Sequence, residues 1–237
     1  MKILFTITIL ALFASQNVSA DVEIQMQDPE GSITTFWIGG EKVKMANQSA
    51  NGYVIVDVSQ QKQFLVDHFE KMVIDVTDGF GDKPMKATPN QQTSSHDISI
   101  EKVGSGPSIA GFSSEQYEVK ANGTLCSTEY LSTEPFKHPE IVKLLKVMAL
   151  LSESEDMGNN ALYNPCEQAE LYLEKQYQAY GVPMRSVSAD GVVISQVTEF
   201  NIKDAPAGTY EFPSGYKLTT MRALLQEQIA PPGHPAP

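Results

Sequence analysis

The hydrophobic period of this chain changes twice, from two to 3.6 and back to two, and that change restricts the fold more than any single motif. Short β-type runs occupy residues 33–38, 42–46, 52–58, 62–68 and 71–77. Asp28-Pro29-Glu30-Gly31, Gly39-Gly40 and Asn51-Gly52 punctuate them, as in a meander of antiparallel hairpins. Val54, Val56 and Val58 alternate with Ile55 and Asp57, and Met72, Ile74 and Val76 alternate with Lys71, Asp75 and Thr77. Such alternation predicts a sheet with one dry face and one wet face. Strands resume at 97–103, 115–120 and 124–131, the last two joined by an Asn122-Gly123 turn. Between the two groups, residues 78–95 lose all periodicity and read as a long loop or flap.

The helical period then takes over. Pro139 suits a first helical turn, and Ile141, Val142, Leu144, Leu145, Val147, Met148, Leu150 and Leu151 make a helix over 139–152 apolar on nearly every side. A second helix is expected over 165–180, with Asn164 as cap, Pro165 at the first position and Glu167 reaching back as in a capping box. Gly181 stops it and Pro183 prevents its resumption. Two more strands, 184–188 and 192–202, flank Asp190-Gly191, and 216–228 supplies a last edge with a short helix. Strands, then helices, then strands, without strand–helix alternation, predict the α+β class. About nine antiparallel strands are expected in a curved, half-barrel sheet with two or three helices on its concave side.

The ends of the chain read differently from its middle. Residues 1–20 combine Lys2, an apolar run over 3–13 and the small residues Val18-Ser19-Ala20, the pattern of a secretory signal cleaved after Ala20. The apolar run is shorter than the roughly 20 residues a spanning helix needs. The mature chain is therefore expected in the periplasm, as one domain over 21–229, followed by a Pro-rich tail over 230–237 with no fold of its own. A formal charge of -12, made more negative by loss of Lys2, argues against nucleic acid and against docking on anionic lipid.

Two cysteines, Cys126 and Cys166, make an even count for an oxidising compartment. Cys166 falls in the first turn of the second helix, on its apolar face. A bridge to Cys126 would close a loop of about 40 residues, worth on the order of 4 kcal/mol in the chain-entropy treatment. The alternative is two buried free thiols. Neither cysteine has a His or second Cys at zinc spacing, and His68, His96, His138 and His234 form no metal pair. Asp75, Asp78 and Asp82 surround Gly79 and Gly81 without the alternate oxygens of a calcium loop. Ser99-Ile100-Glu101-Lys102 matches a Ser-x-x-Lys nucleophile motif, but its strand-like setting puts Ser99 and Lys102 on opposite faces. No metal, cofactor or catalytic group is expected, and the chain reads as a non-enzyme.

Two segments carry a family resemblance. Ser108-Ile109-Ala110-Gly111-Phe112, running on through Ser114-Glu115-Gln116-Tyr117-Glu118-Val119, resembles a strand pair of the bacterial envelope family called domain of unknown function 4412. Ala207-Gly208-Thr209-Tyr210-Glu211-Phe212-Pro213-Ser214-Gly215-Tyr216-Lys217 resembles that family's closing "F-x-x-P-x-GY" signature. Ser114 stands where relatives often carry Cys, so the cysteine arrangement does not follow from the resemblance. The family is similar in outline to LolA-like lipoprotein carriers, which implies a half-closed sheet plugged by helices and no assigned activity.

The export signal without an anchor, the helix apolar on nearly every side and the flap over 78–95 lead to one expectation, a periplasmic binder or carrier for an apolar ligand such as an acyl chain, lipid or lipopeptide. Its expected lining is Trp37, Tyr53, Phe64, Leu144, Met148 and Leu151, because broad aromatic faces and adaptable Met suit apolar ligands. The rival is an envelope protein-interaction module whose helices simply fill the concavity. The two differ in whether an open apolar pocket lies between sheet and helices.

Overall fold

The computed structural model describes residues 20–77, 97–155 and 164–229, with the side chains of 150–155 and 228–229 outside the description. The expected leader over 1–20, apart from Ala20, the flap over 78–95 and the tail over 230–237 fall outside the described residues. The strands are β1 (Val22–Gln27), β2 (Ile33–Gly39), β3 (Lys42–Asn47), β4 (Gly52–Asp57), β5 (Lys62–Asp67), β6 (Met72–Asp75), β7 (Ile98–Ser105), β8 (Glu115–Ala121), β9 (Thr124–Ser132), β10 (Val182–Ser188), β11 (Val193–Ile202) and β12 (Lys217–Thr220). The helices are α1 (Pro139–Glu155), α2 (Pro165–Glu174), α3 (Tyr177–Tyr180) and α4 (Met221–Ile229), with a 3₁₀ turn at Glu134–Lys137 before α1.

All twelve strands join one sheet, in the order β12-β6-β5-β4-β3-β2-β1-β11-β10-β9-β8-β7. Three features correct the sequence expectation. Twelve strands replace about nine, and one that the sequence reading passed over, β1, lies at the centre. It pairs antiparallel with β2 on one side and β11 on the other, so it joins the early meander to the late strands. The second departure is β12, which runs parallel to β6 while every other pairing is antiparallel. The third is the helix expected over 165–180, which breaks into α2 and α3 at Lys175 and Gln176.

Helix starts and stops follow local chemistry. The Asn164 side chain accepts hydrogen bonds from the amides of Cys166 (2.9 Å) and Glu167 (3.0 Å), and the Glu167 carboxylate accepts from the Asn164 amide (2.8 Å). This completes the expected capping box. After α3, Gly181 has φ of +131°, and a Cβ there would come within 2.9 Å of the Ser132 backbone. Only glycine fits so close an approach of helix end to strand.

Three helices pack on one face of the sheet. Ile141, Leu144, Leu145 and Val147 of α1 bury against Val22, Ile24, Phe36, Ile38 and Val43. Each such side chain removed from water contributes roughly 1.5–3 kcal/mol. A second cluster, Tyr117, Val119, Ala121 and Leu131 of β8 and β9, takes Ala169 and Leu173 of α2. Tyr177 of α3 touches both clusters. The disulfide Cys126–Cys166 ties α2 to β9 with a Cα–Cα distance of 5.2 Å.

The opposite face does not stay wet as the alternation predicts. Ile55, Val66 and Val73 point away from the helices, yet all three are buried. The coil over 204–216 lies on this outer side. Phe212 meets Phe64 edge-on at 4.9 Å, the Tyr53 hydroxyl donates to the Glu211 carbonyl at 3.3 Å, and Tyr216 bonds His68 at 2.8 Å. The closing segment singled out by resemblance therefore serves as the lid of an outer layer over β4–β6.

Candidate functional site

Antiparallel register turns alternation into rows. On the helix side, Ile24 sits opposite Phe36, Phe36 opposite Met45, Met45 opposite Val54, Val54 opposite Leu65 and Leu65 opposite Ile74. Six apolar side chains thus line up across six strands. Five strand spacings of about 4.8 Å make the row roughly 24 Å long. Phe200 extends it through β11, where Phe112 packs edge-on at 4.8 Å and His138 lies at 5.7 Å. A second row, Val22, Ile38, Val43 and Val56, runs beside the first and ends on Gln63.

The two rows differ in cover. Val22, Ile38, Val43 and Val56 are all buried beneath the α1 core. In the first row Ile24 and Phe36 are buried, whereas Met45, Val54 and Leu65 remain half-buried. Met148, on α1, is half-buried against the same core. An apolar strip with Met at two of its positions therefore continues from beneath α1 across β3–β5. Met is unbranched and polarizable, and it repacks around irregular apolar shapes at small cost.

The six residues expected to line a pocket are not brought together. Leu144 is buried in the α1 core and Met148 borders it, as a helix-side lining requires. Trp37, Tyr53 and Phe64 lie on the other face. Lys203 sits 5.1 Å over the Trp37 ring, Lys44 sits 3.9 Å over Tyr53, and Phe64 packs on Phe212. The Leu151 side chain is outside the description. The strip instead uses Met45, Val54 and Leu65. Alternation within each strand already places these three opposite to Trp37, Tyr53 and Phe64, and pairing the strands through their turns gives the row.

Glu129 is a carboxyl buried on the helix side of the sheet. Glu129 of β9 accepts a 2.7 Å hydrogen bond from Ser186 of β10, and its side chain faces Tyr177. Burial pushes its carboxyl above the ordinary range, and Glu170 of α2 adds to the push. Burial also holds the Tyr177 phenol well above its usual value, with Glu129, Glu174 and Glu170 acting in the same sense. Among the described residues, no three His, Cys, Asp or Glu side chains converge to hold a metal ion. No described helix is long and apolar enough to cross a membrane.

No family model matches this chain, and no curated protein matches it. Solved structures do. The crystal structure of MucB is 12% identical, with a TM-score of 0.37, over 85% of this chain and 60% of that one. The MucA/MucB complex of Pseudomonas aeruginosa and the structure of MucB with MucA(peri) each show 14% identity and a TM-score of 0.37, over 84% of this chain and 56% of theirs. The chain spans 60% or less of the length of these structures.

Proposed function

We propose that this chain is an exported, non-catalytic binding module of the bacterial envelope that takes an acyl chain or lipid-modified peptide along the helix side of a curved, half-barrel sheet. The observation that carries this reading is the half-buried strip Met45, Val54, Leu65 running in register from beneath α1. From Met45 to Ile74 the row spans about 14 Å at ordinary strand spacing, a length suited to an extended acyl segment. Binding there buries apolar surface on both partners without asking any charge to desolvate. The signal-like leader and the LolA-like resemblance support this reading and a periplasmic location.

A second reading has its own support. Ile141 and Val147 of α1 are fully buried against β1–β3, so much of the helix side is filled by the protein itself. On that reading the module meets an envelope protein and carries no lipid. Purification from the periplasm without detergent, followed by organic extraction and mass spectrometry, separates the two. Stoichiometric lipid is the expected result. A fluorescent acyl probe should also bind, and Met45→Glu together with Leu65→Glu should abolish it while the far-ultraviolet spectrum is retained. Lipid-free protein that ignores the probe overturns the carrier reading in favour of the second.

A further inference from the structure

The sheet ends on β7, which pairs with β8 and, among the described residues, with nothing on its other side. The Asn122 amide donates to the Asp97 carbonyl at 2.7 Å, and that bond fixes the phase of the ladder. Asp97, Ser99 and Glu101 turn their backbone groups to β8, so Ile98, Ile100 and Lys102 turn theirs to the open edge. We infer that this edge pairs antiparallel with the β7 edge of a second copy of the chain, about a two-fold axis at Ile100.

Charge, proline and bulges ordinarily guard an edge against strand addition. β7 has no proline, and its bulge lies beyond Lys102. Its two charges are held sideways by β8, where Lys120 meets Glu101 at 3.0 Å and Glu115 meets Lys102. Residues 98–102 are therefore a regular stretch of strand with its outward groups uncovered.

Register favours a second copy over an unrelated strand. An antiparallel pair sets outward-turned residues against outward-turned residues, so the axis falls on one residue of this stretch. At Glu101 or Lys102 it opposes like charges, and at Ser99 it sets Asp97 against Glu101 of the copy. At Ile98 most of the strand finds no partner. At Ile100 every outward group is used: Ile100 bonds its own copy twice, and Ile98 and Lys102 exchange two bonds on either side of the axis. Ser99 then lies opposite Glu101 of the copy, a carboxylate that its hydroxyl already approaches within its own strand at 3.5 Å.

Packing agrees with that register. Val119 and Ile100 are paired on the helix side and both belong to the α2 cluster, Val119 fully buried and Ile100 half-buried. The axis extends them into a row of Val119 and Ile100 with their two copies, which covers the exposed side of Ile100. The helices leave room for it. α2 packs over β8, so the two copies of α2 stand three strand spacings apart, about 14 Å, beyond the roughly 8–10 Å of touching helices. The strip on β3–β5 lies toward the other end of the sheet and stays free, so the pairing is independent of any apolar ligand.

The test combines sedimentation equilibrium of the folded mature protein, from about 1 µM to 1 mM, with residue-resolved hydrogen exchange. The mass is expected to double across that range, and to do so at lower concentration in added salt, because two acidic copies repel. Amides of Ile98, Ile100 and Lys102 should gain protection as the dimer forms, while those of Ser99 and Glu101, already bonded to β8, change little. Ile100→Pro removes the donor at the axis without deleting a bond to β8, and should weaken association at least about a hundredfold. Should Ile100→Pro fail to fold, Ser99→Glu opposes a carboxylate to Glu101 on both sides of the axis and should weaken association about tenfold, with high salt restoring most of the loss. Protein that stays monomeric at about 1 mM overturns the inference, whether or not the three amides are protected, since protection in a monomer means that another stretch of chain covers the edge. A dimer with those amides unprotected, or one that these variants leave unchanged, overturns it as well.

Discussion

The two faces of the same sheet are buried by different means. On the helix side, residues of β1–β4, β10, β11 and α1 pack together, and most of the buried side chains are aliphatic. On the outer side, the cover is a coil, and the contacts are aromatic edges, single hydrogen bonds and cations over rings. Aliphatic packing across six strands is cooperative, because each row is shared by every strand it crosses. A coil lid contributes locally, through single contacts. The lesson is that adjacent residues in one strand face different energetic regimes.

Ile38 and Trp37 test that contrast most severely, being neighbours in β2 on opposite faces. Ile38→Asp puts a charge where exposure is 0%, and should cost more than about 4 kcal/mol, leaving no cooperative urea transition. Trp37→Ala removes a ring stacked beneath Lys203 and should cost about 1 kcal/mol. Comparable losses for the two would break the comparison.

Removing the staple comes next. Cys126→Ser with Cys166→Ser frees a loop whose ends are 40 residues apart, and should lower stability by about 4 kcal/mol. Protection against hydrogen exchange should fall first in β8, β9 and α2, whose small cluster the bridge supports, and later in β1–β3. Uniform loss across both clusters would mean that they are one cooperative unit.

The cap of α2 gives a smaller effect. Asn164→Ala deletes both hydrogen bonds to the first turn and should cost about 1–2 kcal/mol in a urea titration, with a small loss of helical signal.

Glu129 sharpens the helix side through pH. A carboxyl raised in the folded state binds more protons folded than unfolded, so stability is full below its unfolded value of about 4.3 and declines as pH rises through the folded one. Urea midpoints measured from pH 4 upward should therefore fall. Glu129→Gln keeps an acceptor for Ser186 and should flatten the profile. An unchanged slope would assign it elsewhere, with Glu170, raised by burial and by Glu174 and Glu167, as the next carboxyl to replace.

Local features are legible in the sequence alone. The Asn164 cap, the turn at Asn122-Gly123, the faces of β4 and the helical seat of Cys166 all follow from spacing within a few residues. The central strand β1 does carry a local signal, since Val22, Ile24 and Met26 alternate with Glu23, Gln25 and Gln27, but it is only six residues long and directly follows the apolar leader-like segment. The break of α2 from α3 carries no such signal, since the apolar spacing of Leu173, Tyr177 and Tyr180 runs straight through it. For the site, Leu144 and Met148 do belong to the helix-side core, while the aromatic chemistry of Trp37, Tyr53 and Phe64 does not reveal that their strands turn them to the outer face.

What the sequence by itself determined is therefore the local menu: which stretches are strands, which are helices, where each begins, and which side chains share a face within one element. Those properties depend on backbone sterics and side-chain period, which act over a few residues. The tertiary structure alone decided that β1 sits between β2 and β11, that β12 returns parallel to β6, and that 204–216 roofs the outer face. Those choices set pairs up to 180 residues apart, such as Val22 with Ile202, against one another. They are settled by which whole arrangement buries the most surface with every backbone group paired, a sum that no local window contains.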